Sequence, residues 1–532
     1  MSREFEVKIK PDAKVFVESG ATILDAITLA GFFLYTPCGG SGRCFKCKVK
    51  VSGKASSPTA LEKSALPAEE LKTGMRLACQ ARVQGNISVE IPILLPQKGI
   101  KTISPGTIFT EIFLPSFAKT IDRNSCGIAL DIGTTTIAAS CIELFTGIRR
   151  RIATIENPQG RFGSDIMTRI EKCMTDSRAT KRIHELTVSE IAKTSETLTR
   201  EAGFEVSALK RAVAVGNTTM IHFLLGKNPS SLGKAPFKPR VKGPFRLKMG
   251  QIGLLPPEAE LIIPRLPSGF IGADTVAALL ATKVLERKGF ILVCDLGTNG
   301  EIALAKNGEI LACSTAAGPA FEGRNISCGM IAAKGAISSI SLDGSLTPKV
   351  LGGGKPIGIC GSGLLDAIAA LRLAGILSQT GKLVRTTRSK FSKRIRERKG
   401  ESEFIVCEDS NISLTQSDIR EFQLAKAAVA AGIKTLCERA GISLLEVERV
   451  YLSGTFGSFL KPESASIVGI FPKALLEKIE FAQNAPLLGS EMILLSENKF
   501  SESIKIADSI KTIELASDPV FKREFLNSLS FP

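Results

Sequence analysis

Two segments of this chain repeat one design about 160 residues apart: GIALDIGTTTIAAS at 127–140 and FILVCDLGTNGEIAL at 290–304. Each is an apolar strand that ends in Asp-x-Gly-Thr and returns as a second apolar strand. A strand-end carboxylate, here Asp131 or Asp295, sits where it can hold Mg²⁺ through waters. The Gly and Thr of the turn offer backbone N–H and hydroxyl groups to phosphate oxygens. A lone Asp-x-Gly-Thr is more often a surface turn. Two copies on matched hairpins reverse that balance and point to two lobes of similar build. The candidate phosphate contacts are Gly133, Thr134 and Thr135 in the first turn and Gly297, Thr298 and Asn299 in the second. From Gly127 onward, apolar strands alternate with helical stretches such as 417–440, the texture of an α/β fold. The chain has no G-x-x-x-x-G-K-[ST] loop and no G-x-G-x-x-G fingerprint after a strand.

Residues 1–95 have a different texture. FEVKI and KVFVE read as strands, TILDAITLAG as a helix, and KCKVKVSG and ISVEIPI as further strands. Cys38, Cys44 and Cys47 lie in TPCGGSGRCFKCKV and Cys79 in RLACQ, a C-x5-C-x2-C-x31-C spacing. Four thiolates are what a [2Fe–2S] cluster requires, and only the first gap departs, by one residue, from the plant-type pattern. Gly39, Gly40 and Gly42 let a loop turn tightly and aim N–H groups at the sulfurs. Zinc is the competing reading, but four-cysteine zinc sites usually carry two short C-x2-C pairs, and this stretch has one. Residues 1–95 resemble a β-grasp ferredoxin of the C-x5-C-x2-C kind. The other nine of the thirteen cysteines lack ligand spacing and read as small buried hydrophobes. An odd count behind a start without a secretory leader argues against a disulfide framework. Residues 96–125 have no clear period and read as a linker.

The paired hairpins resemble the acetate and sugar kinase, heat-shock ATPase and actin (ASKHA) superfamily, whose ribonuclease H-like lobes clamp ATP between two such turns. VYLSGTFGSFL at 450–460 is similar to that superfamily's adenosine-binding turn, with Gly454, Thr455 and Gly457 as candidates. NPQGRFGSDIMTRI, VAVGNTTMIHFLLG, GFIGADTVAALLA, GPAFEGRNISCGM, ICGSGLLDAIAALRLAGIL and DIREFQLAKAAVAAGIKTL accompany them. With the cysteine domain, this order of motifs closely resembles the ATP-dependent reductive activators of corrinoid proteins over nearly the whole chain. The resemblance implies an α+β β-grasp [2Fe–2S] domain (1–95), a linker (96–125) and a two-lobed α/β actin-like ATPase (126–532). It implies an ATP- and Mg²⁺-dependent enzyme that returns Co(II) of a corrinoid methyltransfer protein to Co(I), fed by an upstream low-potential donor, with a homodimer among its states. Two departures stand out. Some relatives carry an extra domain between the ferredoxin and the actin-like part, whereas Gly127 here opens the first hairpin soon after the linker. Where the family has a glycine-rich N-A-A-G-x-G turn, this chain reads Asn484-Ala485-Pro486-Leu487-Leu488-Gly489, which puts the interlobe contact there in question.

Glu322, in PAFEG after the second hairpin, is a candidate to orient an attacking water, or else a structural hydrogen-bonding group. Asn217 and Thr218 face the same choice between cleft and turn. His222 reads as packed and His184 as solvated. The formal charge of +17 is dispersed except at 382–399, a solvated basic block with one Phe. No Trp, two Tyr and no nucleic-acid motif argue against a nucleic-acid partner, and an acidic protein explains the charge as well. No apolar run is long enough for a membrane span, so the expectation is a cytoplasmic protein. The rival readings are an ASKHA metabolite kinase or redox-sensing ATPase with an appended ferredoxin, and an ATP-driven electron-injecting activator of another metalloenzyme.

Overall fold

Strands covered on both faces need near-continuous apolar sequence, and the strands that open the two repeats have it: CGIALDI and FILVCDL are buried almost throughout. In the computed structural model the described residues are 4–10, 13–30, 34, 36, 38, 40, 42–45, 47–91, 122–398, 400–457 and 460–532. Most of the predicted linker, residues 96–121, lies outside them.

The first unit comprises β1 (Glu4–Ile9), β2 (Ala13–Glu18), α1 (Ile23–Leu29), β3 (Lys48–Ala55), α2 (Ala60–Ala65), α3 (Ala68–Lys72), β4 (Met75–Leu77) and β5 (Val83–Glu90). Its strands form one sheet ordered β2-β1-β5-β3-β4, closed over α1 by a small core of Val7, Ile23, Ile27, Val49 and Val89. A buried ion pair fixes the strand that leads to Cys79. Glu62 takes Nε and NH2 of Arg76 at 2.9 and 2.8 Å and the Leu77 N–H at 3.0 Å. The four bonds that Glu62 accepts, counting the Thr59 N–H, satisfy a carboxylate that water cannot reach.

The first lobe follows: β6 (Cys126–Ile132), β7 (Thr136–Glu143), β8 (Arg149–Glu156), α4 (Ile166–Thr175), α5 (Ala179–Glu201), β9 (Leu209–Gly216), α6 (Thr218–Leu224), β10 (Phe245–Lys248), β11 (Glu260–Ile263) and α7 (Ala273–Ala281). The second has β12 (Phe290–Leu296), β13 (Gly300–Lys306), β14 (Glu309–Thr315), β15 (Ala336–Leu342), β16 (Leu346–Val350), β17 (Gly358–Ile359), α8 (Gly361–Leu373), β18 (Ile395–Arg398), β19 (Glu401–Cys407), β20 (Ile412–Thr415) and α9 (Gln416–Arg439). It ends with β21 (Val447–Ser453), α10 (Gly454–Gly457), α11 (Pro462–Val468), β22 (Ile479–Gln483), α12 (Ala485–Leu495), α13 (Glu497–Ser509), β23 (Ile510–Thr512) and α14 (Pro519–Leu529).

The two large sheets share a topology. One runs β8-β7-β6-β9-β11 and the other β14-β13-β12-β21-β22, in each case an antiparallel meander of three strands continued by two parallel ones. Their sixth strands differ: β10 extends the first sheet beyond β11, while β23 extends the second beyond β14. One apolar core joins both lobes, with α7 and α12 packed among residues of the first sheet and with Ile291, Val293, Ala303 and Tyr451 of the second. The second core covers the opposite face of the second sheet with α8 and α9. The basic block at 382–399 is a short 3-10 turn and an edge strand, and its Arg396 pairs with Glu403 at 2.5 Å.

The chain enters α12 from the second sheet and packs it on β6, β9 and α7 of the first lobe. A Cβ on Gly489 of that helix would fall 2.0 Å from the Ala277 carbonyl oxygen. Gly489→Ala is therefore expected to cost about 1–3 kcal/mol by overpacking, read as a lowered denaturant midpoint with an unchanged ferredoxin spectrum.

Candidate functional site

The ends of β6 and β12 meet at the mouth between the lobes, so the two Asp-x-Gly-Thr turns face one another. Thr135 Oγ1 lies 2.8 Å from Thr298 Oγ1, one hydroxyl donating to the other across the cleft. Thr298 also donates to Glu322 Oε1 at 2.9 Å, while Glu322 Oε2 is buried without a hydrogen-bond partner among the described residues. That unsatisfied oxygen suits a group that orients a water. Arg324, two residues on, pairs with Glu156 of β8 at 2.6 Å and ties the second lobe to the first.

The first Asp-x-Gly-Thr turn is braced from behind. Asn157 donates to the Gly133 carbonyl at 2.7 Å, and Asn217 donates to Thr134 Oγ1 at 3.2 Å while its own oxygen caps α6 through the Met220 N–H. Asn217 thus serves both the turn and the cleft. The deepest brace is Arg169 of α4, 1 % exposed, which donates to the Thr134 carbonyl at 2.6 Å, the Gly163 carbonyl at 2.8 Å and Gln159 Oε1 at 3.1 Å. Burial pulls its guanidinium down to about 9. In the second turn the Gly297 N–H closes on the Asn299 carbonyl at 2.9 Å.

Asp131 and Asp295 open on this crevice but are enclosed on their other sides. Desolvation pushes Asp131 up to about 7, opposed by the Asn484 amide, which donates to it at 2.9 Å. Asp295 is pushed up too, by desolvation first and then by the neighbouring Asp131 and Asp274. Asp274, in the first turn of α7, is raised to about 6, and Glu301 of β13 is raised as well, in both cases by burial first. Clustered carboxylates in low dielectric hold their protons or a cation. This donor set is all oxygen, which suits Mg²⁺.

Beside Asp295, β21 runs into α10 through Gly454, at φ +86°. A Cβ there would meet Asp295 Oδ1 at 2.6 Å and the Leu296 carbonyl at 2.7 Å, so only glycine permits this approach. Gly457 closes the same short helix, and Phe456 between them stacks on Phe321 with centroids 4.4 Å apart. The Thr455 side chain lies outside the described residues. The altered 484–489 segment is the start of α12: Asn484 accepts the Leu487 N–H at 2.8 Å and donates to Asp131, so an interlobe contact forms there from a helix cap. His222 is structural. It lies buried between the Thr218 carbonyl, 2.7 Å from Nδ1, and the Arg240 N–H, which donates to Nε2 at 3.0 Å. His184 is part-buried, its Nδ1 3.0 Å from the Phe223 carbonyl.

In the first unit, Cys47 and Cys79 lie with sulfurs 3.3 Å apart, and Cys38 and Cys44 line one open cavity at the loop's outer side. Gly40 and Gly42 both adopt positive φ, and the Gly42 N–H points at the Cys79 sulfur. Four thiols, a left-handed glycine loop and an N–H aimed at sulfur fit an iron–sulfur cluster. Among the described residues no three candidate ligands already close to metal-ligating geometry. The remaining cysteines are mostly buried, and none of them joins this loop.

Family comparison agrees with this geometry segment by segment. A family described as the C-terminal domain of RACo, the ASKHA domain, matches residues 289–532, and the RACo middle region matches 126–287. The 2Fe-2S iron-sulfur cluster binding domain matches residues 7–84. The chain belongs to the RACo family. The middle-region match falls on the first lobe, directly after the linker. Among curated relatives, the corrinoid activation enzyme RamQ of Eubacterium limosum is 28% identical over 98% of both chains. The [Co(II) methylated amine-specific corrinoid protein] reductase of Methanosarcina barkeri is 26% identical over 76% of this chain and 77% of its own. A solved structure described as a reductive activator for corrinoid,iron-sulfur protein superposes with a TM-score of 0.72 at 27% identity, covering 99% of this chain and 98% of that one.

Asp274, Glu301 and Arg169 are the site residues that sequence reasoning did not single out, although all three sit in the motif segments quoted above, and Asn484 is named there only as part of an altered turn. The raised carboxylates carry a sign. A group whose folded pKa exceeds its unfolded value stabilises at low pH, and that contribution is lost as pH rises through the folded value, here between about 4 and 7 for Asp131. In metal-free protein, Asp131→Asn is expected to raise stability at pH 8 by on the order of 1–3 kcal/mol and to change it little at pH 4. Thermal unfolding in chelator at the two pH values measures this.

Proposed function

We propose that this protein is an ATP-dependent reductive activator of a corrinoid methyltransfer protein. The observation that carries the reading is the pairing of Asp131 and Asp295 across facing turns whose threonines touch, in a chain that also presents a four-thiol glycine loop. The corrinoid-activating relatives and the superposed activator structure support it.

In this reading Gly133, Thr134, Thr135, Gly297, Thr298 and Asn299 take the phosphates. Asp131 and Asp295, with Asp274 beside them, hold Mg²⁺ through waters, and the cation offsets the burial that raises all three and the carboxylate repulsion that adds to it at Asp131 and Asp295. The Gly454–Gly457 segment, with Thr455, lies against the adenosine. Glu322, held by Thr298, orients a water with its free oxygen. Cys38, Cys44, Cys47 and Cys79 hold a [2Fe–2S] cluster, which when bound supplies one-electron transfer. The substrate is Co(II) in the partner's corrinoid, returned to Co(I) with electrons from an upstream low-potential donor. We place the protein in the cytoplasm; among the described residues no helix is long and apolar enough to cross a membrane.

Nucleotide is needed because the step is uphill. A one-electron transfer to a couple 100 mV below its donor costs about 2.3 kcal/mol. Nucleotide that favours one arrangement of the lobes over another supplies energy of that size through its differential affinity.

The test is anaerobic spectroscopy with a Co(II) corrinoid methyltransfer protein and a strong reductant. Wild type is expected to form Co(I) only with Mg-ATP, and Asp131→Ala to keep its cluster spectrum while losing about 100-fold or more of that rate. Cys44→Ala is expected to lose both the spectrum and the rate. Undiminished Co(I) formation by Asp131→Ala would count against the reading.

A further inference from the structure

The outer side of the thiol loop meets a notch built by both lobes. An open cavity of about 650 Å³ has Cys38, Arg43 and Cys44 on one wall, Asp165 and Glu171 of the α4 region on a second, and Asn325 and Glu421 of the second lobe on a third. Arg43, between two thiols, is the loop's only cation among these residues. Its NH2 reaches Glu171 Oε2 at 2.9 Å, and Asp165 also attracts it. Two carboxylates of the first lobe therefore act on this guanidinium, and a third, Glu421 of the second lobe, lines the same cavity.

The two lobe walls of the notch each connect to one of the Asp-x-Gly-Thr turns. On the first lobe, Arg169 holds the Thr134 carbonyl and Glu171, two positions along the same helix, holds Arg43. On the second, Glu322 holds Thr298 and Asn325, three positions on, lines the notch. Arg324 between them bonds Glu156 of the opposite lobe. A ligand that draws Thr134 and Thr298 together must also move the two sides of the notch.

We propose that this acidic notch is the docking site of the ferredoxin unit, and that closure of the lobes on nucleotide grips the thiol loop through Arg43. Glu171 and Glu421 are positioning residues, one from each lobe. The inference rests on nucleotide binding in the reading above and adds to it how the cleft reaches the redox loop. The ion pair is well exposed, with 60 % and 54 % of its side chains open to solvent, so by itself it is weak and easily biased. That weakness suits a contact that nucleotide must switch, since coupling acts by tipping a near-balanced equilibrium.

The experiment is hydrogen exchange of the Gly42–Cys47 amides in cluster-loaded full-length protein, with and without Mg-ATP, beside calorimetry of Mg-ATP binding. Mg-ATP is expected to slow exchange about five-fold or more in wild type. In Glu171→Arg, and separately in Glu421→Lys, the slowing should fall below about two-fold, and the Arg43→Glu, Glu171→Arg charge swap should recover it. A structural role for Glu171 alone would not give that rescue. Equal slowing in Glu171→Arg and wild type, or no slowing in wild type despite calorimetric binding, overturns this inference and leaves the functional reading standing. Absence of calorimetric binding overturns the nucleotide reading and this inference together.

Discussion

Two carboxylates cannot sit ionised at adjoining strand ends inside a protein unless something neutralises them. Asp131 and Asp295 are placed that way by the register of their sheets, and Asp274 and Glu301 increase the accumulated charge. Without a counter-charge each is driven toward its neutral form, with desolvation the largest cause. The fold supplies little to oppose this: one amide from Asn484 on Asp131, and the Ser453 hydroxyl on Asp295. The nearby cations are used elsewhere, Arg169 on backbone carbonyls and Arg324 on Glu156. Such a cleft is less stable at neutral pH than at acid pH, and in the proposed function a divalent cation carried in with phosphates would remove that penalty.

The rest of the two-lobed unit holds that crevice in register. Matching sheet topologies bring equivalent turns face to face, and the helices packed between them prevent the sheets from collapsing together. α12 is the main tie, because it leaves the second sheet, caps itself with Asn484 beside Asp131, and packs in the first lobe. The Ala485 N–H closes on Ser453 Oγ at 3.1 Å, so the end of β21 and the start of α12 share one hydroxyl. A change in the spacing of the turns would therefore strain a helix that packs against both lobes.

Local motifs made the skeleton legible. The thiol spacing, the duplicated Asp-x-Gly-Thr and the glycine turn at 454–457 are each short, and each states its chemistry within a few residues. What stayed hidden depends on contacts between distant segments. Arg169 reads as an ordinary helical cation, and only the fold shows it 1 % exposed under Thr134, 35 residues earlier in sequence. Asp274 reads as a first-turn acid, a common helix feature, until α7 places it beside two other carboxylates. The 484–489 segment reads as a lost turn because Pro486 stands for an alanine and Leu487 for a glycine of the pattern. Proline at the first turn of a helix is favourable, and the structure uses it to start α12 where the family pattern has a bend.

The buried guanidinium also explains why α4 is well placed to carry information. A surface helix could shift without consequence to the cleft, but Arg169 spends its donors on the carbonyls of Thr134 and Gly163 and on Gln159, with burial already lowering its pKa. Losing one acceptor leaves a charged donor unsatisfied in low dielectric, which costs more than moving the helix. The helix therefore follows its phosphate turn. The other members of α4 and its cap, Asp165 and Glu171, move with it. Because these face the thiol loop, the cleft between the Asp-x-Gly-Thr turns and the thiol loop share one helix of ten residues.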